Sequence, residues 1–187
     1  MRSEYRAGPS RPKTQRKPRR LLALLACCIL AWPLAGQAEE GPKVGRPAPP
    51  LSLHTLDGRT ISTDSLRGKV VILSFWATWC APCKEELPLL SAYAAQHADQ
   101  GLQVLGFSLD EPDNLEAARR MAGSLSFPSG LLGSAWAPGY GRIWKLPVNF
   151  TIDRKGTLVD NSWNDERPEW TAERLERIVT PLLEEKN

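Results

Sequence analysis

The stretch VVILSFWATWCAPCKEELP, Val70 to Pro88, joins an apolar run to a pair of cysteines and then to a helix-forming segment. The run Val70 to Trp76 is β-branched and aromatic, and too short for a typical globular helix. It reads as a strand buried on both faces. Cys80 and Cys83 follow at the strand-to-helix junction, where unpaired backbone N–H groups and the positive end of a helix dipole favour the first sulfur as thiolate. A thiolate attacks disulfides, and two cysteines with two residues between them can close a ring within one helical turn. The pair therefore reads as a redox centre that cycles between dithiol and disulfide. A structural zinc half-site is the alternative, but it needs two more ligands, and the residues beyond the leader offer only His54 and His97. Lys84, not His, follows Cys83, so the pair is not a covalent haem attachment site.

Phe75-Trp76-Ala77-Thr78-Trp79-Cys80-Ala81-Pro82-Cys83, continued by Lys84-Glu85-Glu86-Leu87-Pro88, resembles the active-site sequence of the thioredoxin superfamily, and within it the TlpA/ResA/CcmG branch of bacterial thiol-disulfide oxidoreductases. The resemblance runs from about Val44 to Leu183. It implies a thioredoxin-like α/β fold, a central mixed sheet flanked by helices, here with an N-terminal β-hairpin extension. It also implies that Leu146-Pro147 is the superfamily's cis-proline loop, and that a Glu three residues after the second cysteine, Glu86, recurs. Cys80 is expected to be the nucleophile and Cys83 the resolving thiol. Glu86 is expected to carry a proton if it is buried, and to be a solvated helix charge if it is not. Trp79, Pro82, Leu146 and Pro147 are expected to contact substrate, with packing as the plainer reading of Trp79 and Leu146. The chain departs from thioredoxin at Ser74, where thioredoxin has a buried acid.

The 187 residues carry a formal charge of +3, but residues 1–38 hold eight Lys or Arg against the single acid Glu4. The rest has sixteen basic and twenty acidic residues, so no basic face for nucleic acid is indicated. A polar, Arg-rich start leads into the uncharged run Leu21 to Gly36, the layout of a signal peptide over residues 1–38 with small residues at Gly36 and Ala38. A membrane anchor through residues 21–36 is the rival reading, although sixteen residues fall just short of the roughly 17 to 25 that span a bilayer. A lipoprotein modified at Cys27 is a third. Each places the domain outside the cytoplasm, in the periplasm, where disulfides persist.

Residues 39–50 read as a Gly- and Pro-containing linker and 51–187 as the domain. Asp57-Gly58 between Leu53 and Ile61 marks a hairpin, and Thr63 or Asp64 is the expected cap of a helical turn ending at Leu66. Leu87, Leu90, Ala94 and His97 form one helix face closed by Gly101, with Pro88 inside it. A strand is expected over Leu102 to Leu109. Asp110-Glu111-Pro112-Asp113 is expected to complement a helix start near Asn114, whose core face is Leu115, Ala118 and Ala122. Between Gly123 and Gly141 only a short helix at Ser134 to Ala137 is placed. Pro147 opens a strand that runs to Asp153, and Asn149-Phe150-Thr151 is a glycosylation sequon made idle by that strand. A final strand, Thr157 to Trp163, precedes a helix from Thr171 whose Leu175, Ile178, Val179, Leu182 and Leu183 recur in helical period as a core face, and which Pro181 kinks or ends.

The expected activity is disulfide reduction in proteins, with apocytochrome c cysteines as the clients that the resemblance implies and a membrane thiol reductant upstream. A disulfide-forming oxidase would use the same motif, and a copper chaperone or holdase is the non-enzymatic alternative. No cofactor and no metal is expected. A peroxidase would need Pro seven, and Thr or Ser three, residues before its cysteine, which neither Cys80 nor Cys83 has.

Overall fold

A computed structural model describes residues 41–185; the leader, with its cleavage, anchor and lipidation readings, lies outside them. Strands β1 (Ser52–His54) and β2 (Thr60–Ser62) form the expected antiparallel hairpin around Asp57-Gly58. The following 3-10 turn, Thr63–Leu66, is capped by Ser62 and not by Thr63 or Asp64: the Ser62 hydroxyl accepts from the Asp64 N–H. An acceptor one residue before the turn reaches its first free N–H, which a residue already inside the turn does not.

Strand β3 (Val70–Trp76) is buried at every residue, as its composition requires. It lies at the centre of a five-stranded sheet with β4 (Leu102–Ser108), β5 (Ser129–Leu131), β8 (Val148–Ile152) and β9 (Leu158–Asn161), in the order β5-β4-β3-β8-β9. β3, β4 and β5 are parallel, β8 is antiparallel to β3, and β9 is antiparallel to β8, which makes the sheet mixed. Within the stretch read as a linker, Gly45 and Arg46 hydrogen-bond to Leu158 and Ala48 to Gly156, so the chain is laid against β9 before the hairpin begins.

Alternation along β3 splits the core in two. Val70, Ile72 and Trp76 face helix α1 (Ala81–His97), whose Leu87, Leu90 and Ala94 pack on them. Helices α2 (Leu115–Ala122), α3 (Ala172–Ile178) and α4 (Thr180–Glu184) add Ala118, Leu175, Val179 and Leu183 to the same cluster. Val71, Leu73 and Phe75 face the other side, covered by Leu51 and Leu53 of the N-terminal segment and by Ala137, Tyr140 and Ile143. Each large apolar side chain so buried contributes about 1.5–3 kcal/mol.

Helix α1 passes through Pro88, tightens into a 3-10 turn at Ala98–Gln100 and ends at Gly101, whose φ of 88° is the left-handed conformation that glycine adopts without a Cβ penalty. The C-terminal helix breaks at Val179 into α3 and α4, with Pro181 in the first turn of α4, where its missing N–H costs nothing. The expected helix at Ser134 to Ala137 is not formed. Instead β6 (Trp136–Ala137) and β7 (Gly141–Arg142) make a small hairpin. Its turn holds Gly139 and Gly141 at positive φ, and Tyr140 N–H closes it onto the Ala137 carbonyl. β5, absent from the sequence reading, supplies the sheet edge beyond β4.

Candidate active site

The chain leaves β3 at Trp76, turns so that the Cys80 N–H donates to the Ala77 carbonyl, and enters α1 at Ala81. Cys80 is the N-cap of this helix. Its backbone is extended, and its Sγ accepts from the Cys83 N–H at 3.2 Å while its carbonyl accepts from Lys84 N–H. A sulfur in the capping position receives a free N–H and the positive end of the dipole, both of which favour negative charge there once the disulfide opens. Pro82 lies in the first turn, where no intrahelical donor is lost. Cys80 and Cys83 are joined as a disulfide with Cα atoms 5.3 Å apart. Cys80 is 5% exposed and Cys83 fully buried, so an incoming group meets Cys80 first. Beside them Trp79 is 62% exposed and Pro82 exposed, leaving an apolar surface at the cysteines, whereas Trp76 is wholly within the core.

The loop that carries Trp79 is stapled from β4. The Asp110 carboxylate accepts from the Thr78 N–H at 2.9 Å, from the Thr78 hydroxyl at 2.6 Å and from the Ser108 hydroxyl at 2.7 Å. Asp110 thus serves the cysteine loop and not the start of α2, the role expected for it. Helix α2 has no side-chain cap, and it is entered through a 3-10 turn at Pro112–Asn114. A buried carboxylate needs donors, and the two strand ends brought together by the parallel β3-β4 pairing provide them.

Glu86 points into the core and not to solvent; it is 2% exposed. Its carboxylate accepts from the Trp170 N–H at 2.7 Å and from Asn149 Nδ2 at 3.2 and 3.4 Å. Burial pushes its pKa up from 4.5 to about 7; the two hydrogen bonds and Arg174 pull it down, and Glu169 adds to the rise. At neutral pH the group is poised between acid and base. Asn149 sits opposite Ser74 in the β3-β8 register, and both are fully buried. Alternation turns the pair toward α1, so the polar side chains of the two central strands meet the helix that bears Glu86. The Ser74 hydroxyl and Asn149 Oδ1 have no protein partner.

Leu146-Pro147 is cis, as the resemblance implied. Pro147 is buried, and the half-buried Leu146 packs against the cluster that contains Cys80 and Cys83. The structure therefore brings together Cys80, Cys83 and the Leu146-Pro147 loop, leaves Trp79 and Pro82 on the surface beside them, and places Glu86 behind them in the core. The sequence reading missed Asn149, Trp170 and Asp110. Asn149 carried a signal, since an amide inside a fully buried strand needs a partner. His97 is buried against Tyr93 and hydrogen-bonded to Gln100, and His54 is an exposed partner of Thr60. Among the described residues no three His, Cys, Asp or Glu side chains gather as metal ligands.

Residues 44–161 match the AhpC/TSA family. The thiol-disulfide oxidoreductase ResA of Bacillus thuringiensis subsp. konkukian is 30% identical over 142 residues, which cover 75% of this chain and 82% of that one. The thioredoxin-like protein YneN of Bacillus subtilis is 32% identical over 125 residues, 65% of this chain and 72% of that one. Among solved structures, a thiol:disulfide interchange protein of the thioredoxin family from Chlorobium tepidum superposes with a TM-score of 0.60 at 27% identity, covering 77% of this chain and 99% of that one. An N-capping cysteine bonded to a buried partner one turn on, over a thioredoxin-like sheet, is what such proteins need for exchange, and the chain belongs to the AhpC/TSA family as a ResA-like thiol-disulfide oxidoreductase.

Proposed function

We propose that the protein is a periplasmic reductase of protein disulfides, with the haem-attachment cysteines of apocytochrome c as a client class. The observation that carries the chemistry is the asymmetry of the two residues, Cys80 capping the helix and 5% exposed, Cys83 a turn inside and fully buried. Cys80 thiolate attacks one sulfur of the client disulfide, forming a mixed disulfide and releasing the other client sulfur as thiolate. Cys83 thiolate then attacks the Cys80 sulfur, closing the Cys80–Cys83 bond and releasing the second client thiolate. The client gains two electrons and the pair loses them; an upstream thiol reductant at the membrane returns them.

Resolution requires Cys83 to lose a proton inside the core. Glu86 lies three residues on along the helix, so the two side chains neighbour each other, and a carboxyl with a pKa of about 7 takes and returns a proton at little cost near neutrality. Trp79, Pro82 and the Leu146-Pro147 loop would receive the client chain in extended form. The deciding experiment is equilibration of the Cys80–Cys83 pair with glutathione or dithiothreitol. A potential near thioredoxin's, about −270 mV, supports the reductase; one near about −120 mV makes the protein an oxidant of its partners and overturns the proposed direction.

A further inference from the structure

The segment 165–170, between the 3-10 turn Ser162–Asn164 and α3, adopts neither helix nor strand, so its place is fixed by the groups its backbone meets. The Arg167 carbonyl accepts from Arg174 Nη1 at 3.1 Å, the Pro168 carbonyl accepts from Asn149 Nδ2 at 3.3 Å, and the Trp170 N–H donates to Glu86 at 2.7 Å. Asn149 Nδ2 also donates to Glu86. The donors that hold the Glu86 carboxylate are therefore either on this segment or shared with it.

Arg174, on α3, joins the segment to the sheet. Its Nη2 donates to both carboxylate oxygens of Asp160 in β9, at 3.2 and 3.0 Å, while its Nη1 lies 2.7 Å from the Asp165 carboxylate and serves the Arg167 carbonyl. Its guanidinium carbon stands 5.2 Å from the centroid of the Trp170 ring. The residue is only 8% exposed. A guanidinium buried with its carboxylates adds little stability over apolar residues of the same volume, because desolvation offsets the attraction. Its planar fork provides direction instead: one group reaches a strand, the start and middle of the segment, and the ring at its end, a set of contacts that a single ammonium cannot make together.

We propose that Arg174 is a positioning residue of disulfide exchange: by clamping the segment 165–170 to β9 it holds the Trp170 N–H and the Asn149 amide on Glu86 and keeps that carboxyl dry for its part in resolution. This rests on the reading of Glu86 as the group that exchanges a proton with Cys83. The charged and titratable groups that face Glu86 are Cys83 of its own helix once reduced, Glu169 of the segment and Arg174 itself. β3 and β8 add no charge on this side, Ser74, Asn149 and Thr151 being neutral. Of the influences on Glu86, burial is the largest and acts upward, so release of the segment lowers its pKa from about 7 toward 4.5, even though two hydrogen bonds that pull it down are loosened.

The test uses the full-length protein, reduced and mixed with excess dithiobis(nitrobenzoate). Cys80 attacks the reagent and releases one thionitrobenzoate in a step that scales with reagent concentration; Cys83 then attacks the Cys80 sulfur and releases the second in a step that does not. Arg174→Lys keeps the charge and loses the fork. It is expected to slow the second release about tenfold at pH 7, to move the inflection of its pH profile to lower pH, and to speed hydrogen exchange at the Trp170 N–H at least tenfold, with the first release as internal reference. Asp165→Asn, at a side chain 40% exposed, leaves Arg174 on Asp160 and is expected to shift all three in the same direction by less; it carries the test if Arg174→Lys does not fold. Faster exchange at Trp170 with an unchanged pH profile makes Arg174 a structural clamp only and overturns the proposal. Unchanged exchange overturns it too, since the buried Trp170 indole would then hold the segment by itself. Glu86→Gln separates the two readings. If it leaves the profile unchanged, the proton role of Glu86 falls and the positioning role with it; if it flattens the profile while Arg174→Lys and Asp165→Asn keep that of the wild type, Arg174 alone is removed.

Discussion

Glu86→Gln isolates the energetic consequence of burying a carboxyl without a cation against it. The folded-state pKa is raised from 4.5 to about 7. For an acid shifted upward, the favourable contribution is fully present below the unfolded value and is lost as pH rises through the folded one, because the unfolded chain releases the proton first. A shift of this size corresponds to a loss on the order of 3 kcal/mol between about pH 4.5 and pH 7.5. Gln keeps the volume and titrates nowhere. It still offers one oxygen to the Trp170 N–H, and its new N–H₂ can be met by Asn149 Oδ1, which has no protein partner, if that amide rotates. The variant should therefore have nearly wild-type stability at pH 4.5 and exceed it by about 3 kcal/mol at pH 8. Urea unfolding of the oxidised proteins at both pH values reads this as a double difference, in which unrelated titrations cancel. Parallel stability curves for the two proteins would refute the reasoning. The same variant should slow resolution of the mixed disulfide and flatten its dependence on pH near 7, without unfolding the domain.

Three further outcomes follow from the site and its supports. Cys83→Ser should accumulate covalent adducts with client proteins that dithiothreitol releases, whereas Cys80→Ser should trap few; equal trapping by both would remove Cys80 as the nucleophile. Asp110→Ala leaves the Thr78 N–H, the Thr78 hydroxyl and the Ser108 hydroxyl without their acceptor, and should cost on the order of 3 kcal/mol in urea unfolding, with retention of full stability showing that the cysteine loop is held by other means. Gly130→Ala would place a Cβ 1.9 Å from the His54 carbonyl oxygen, so the N-terminal hairpin must shift off β5; a loss of about 2–3 kcal/mol is expected, together with faster hydrogen exchange at the Leu56 N–H, which donates to Ser129, and slow exchange there in the variant would count against the packing.

What the chain discloses in one dimension depends on whether a contact leaves a period behind. β3, α1 and the final helical face were legible because burial repeats along them: every residue of β3, then Leu87, Leu90 and Ala94, then Leu175, Val179 and Leu183. β5 has no such mark. Ser129-Gly130-Leu131 becomes a strand because β4 offers it an edge and the hairpin at His54 closes over it, and its glycine is required by that close approach. The β6-β7 hairpin did carry a signal, Pro138-Gly139, a turn dipeptide that ends a helix rather than extends one. Glu86 is the instructive case. Its spacing from Cys83 gave its place on the helix, but its burial is set by Trp170, 84 residues away. The legible part was in the strands. Ser74 and Asn149 are polar residues in apolar runs, and an antiparallel register that sets them opposite each other creates a buried polar surface that some other element must complete. Glu86, from the helix that faces this surface, completes it on one side by accepting from Asn149 Nδ2, and the backbone N–H of Trp170 satisfies the carboxylate on the other.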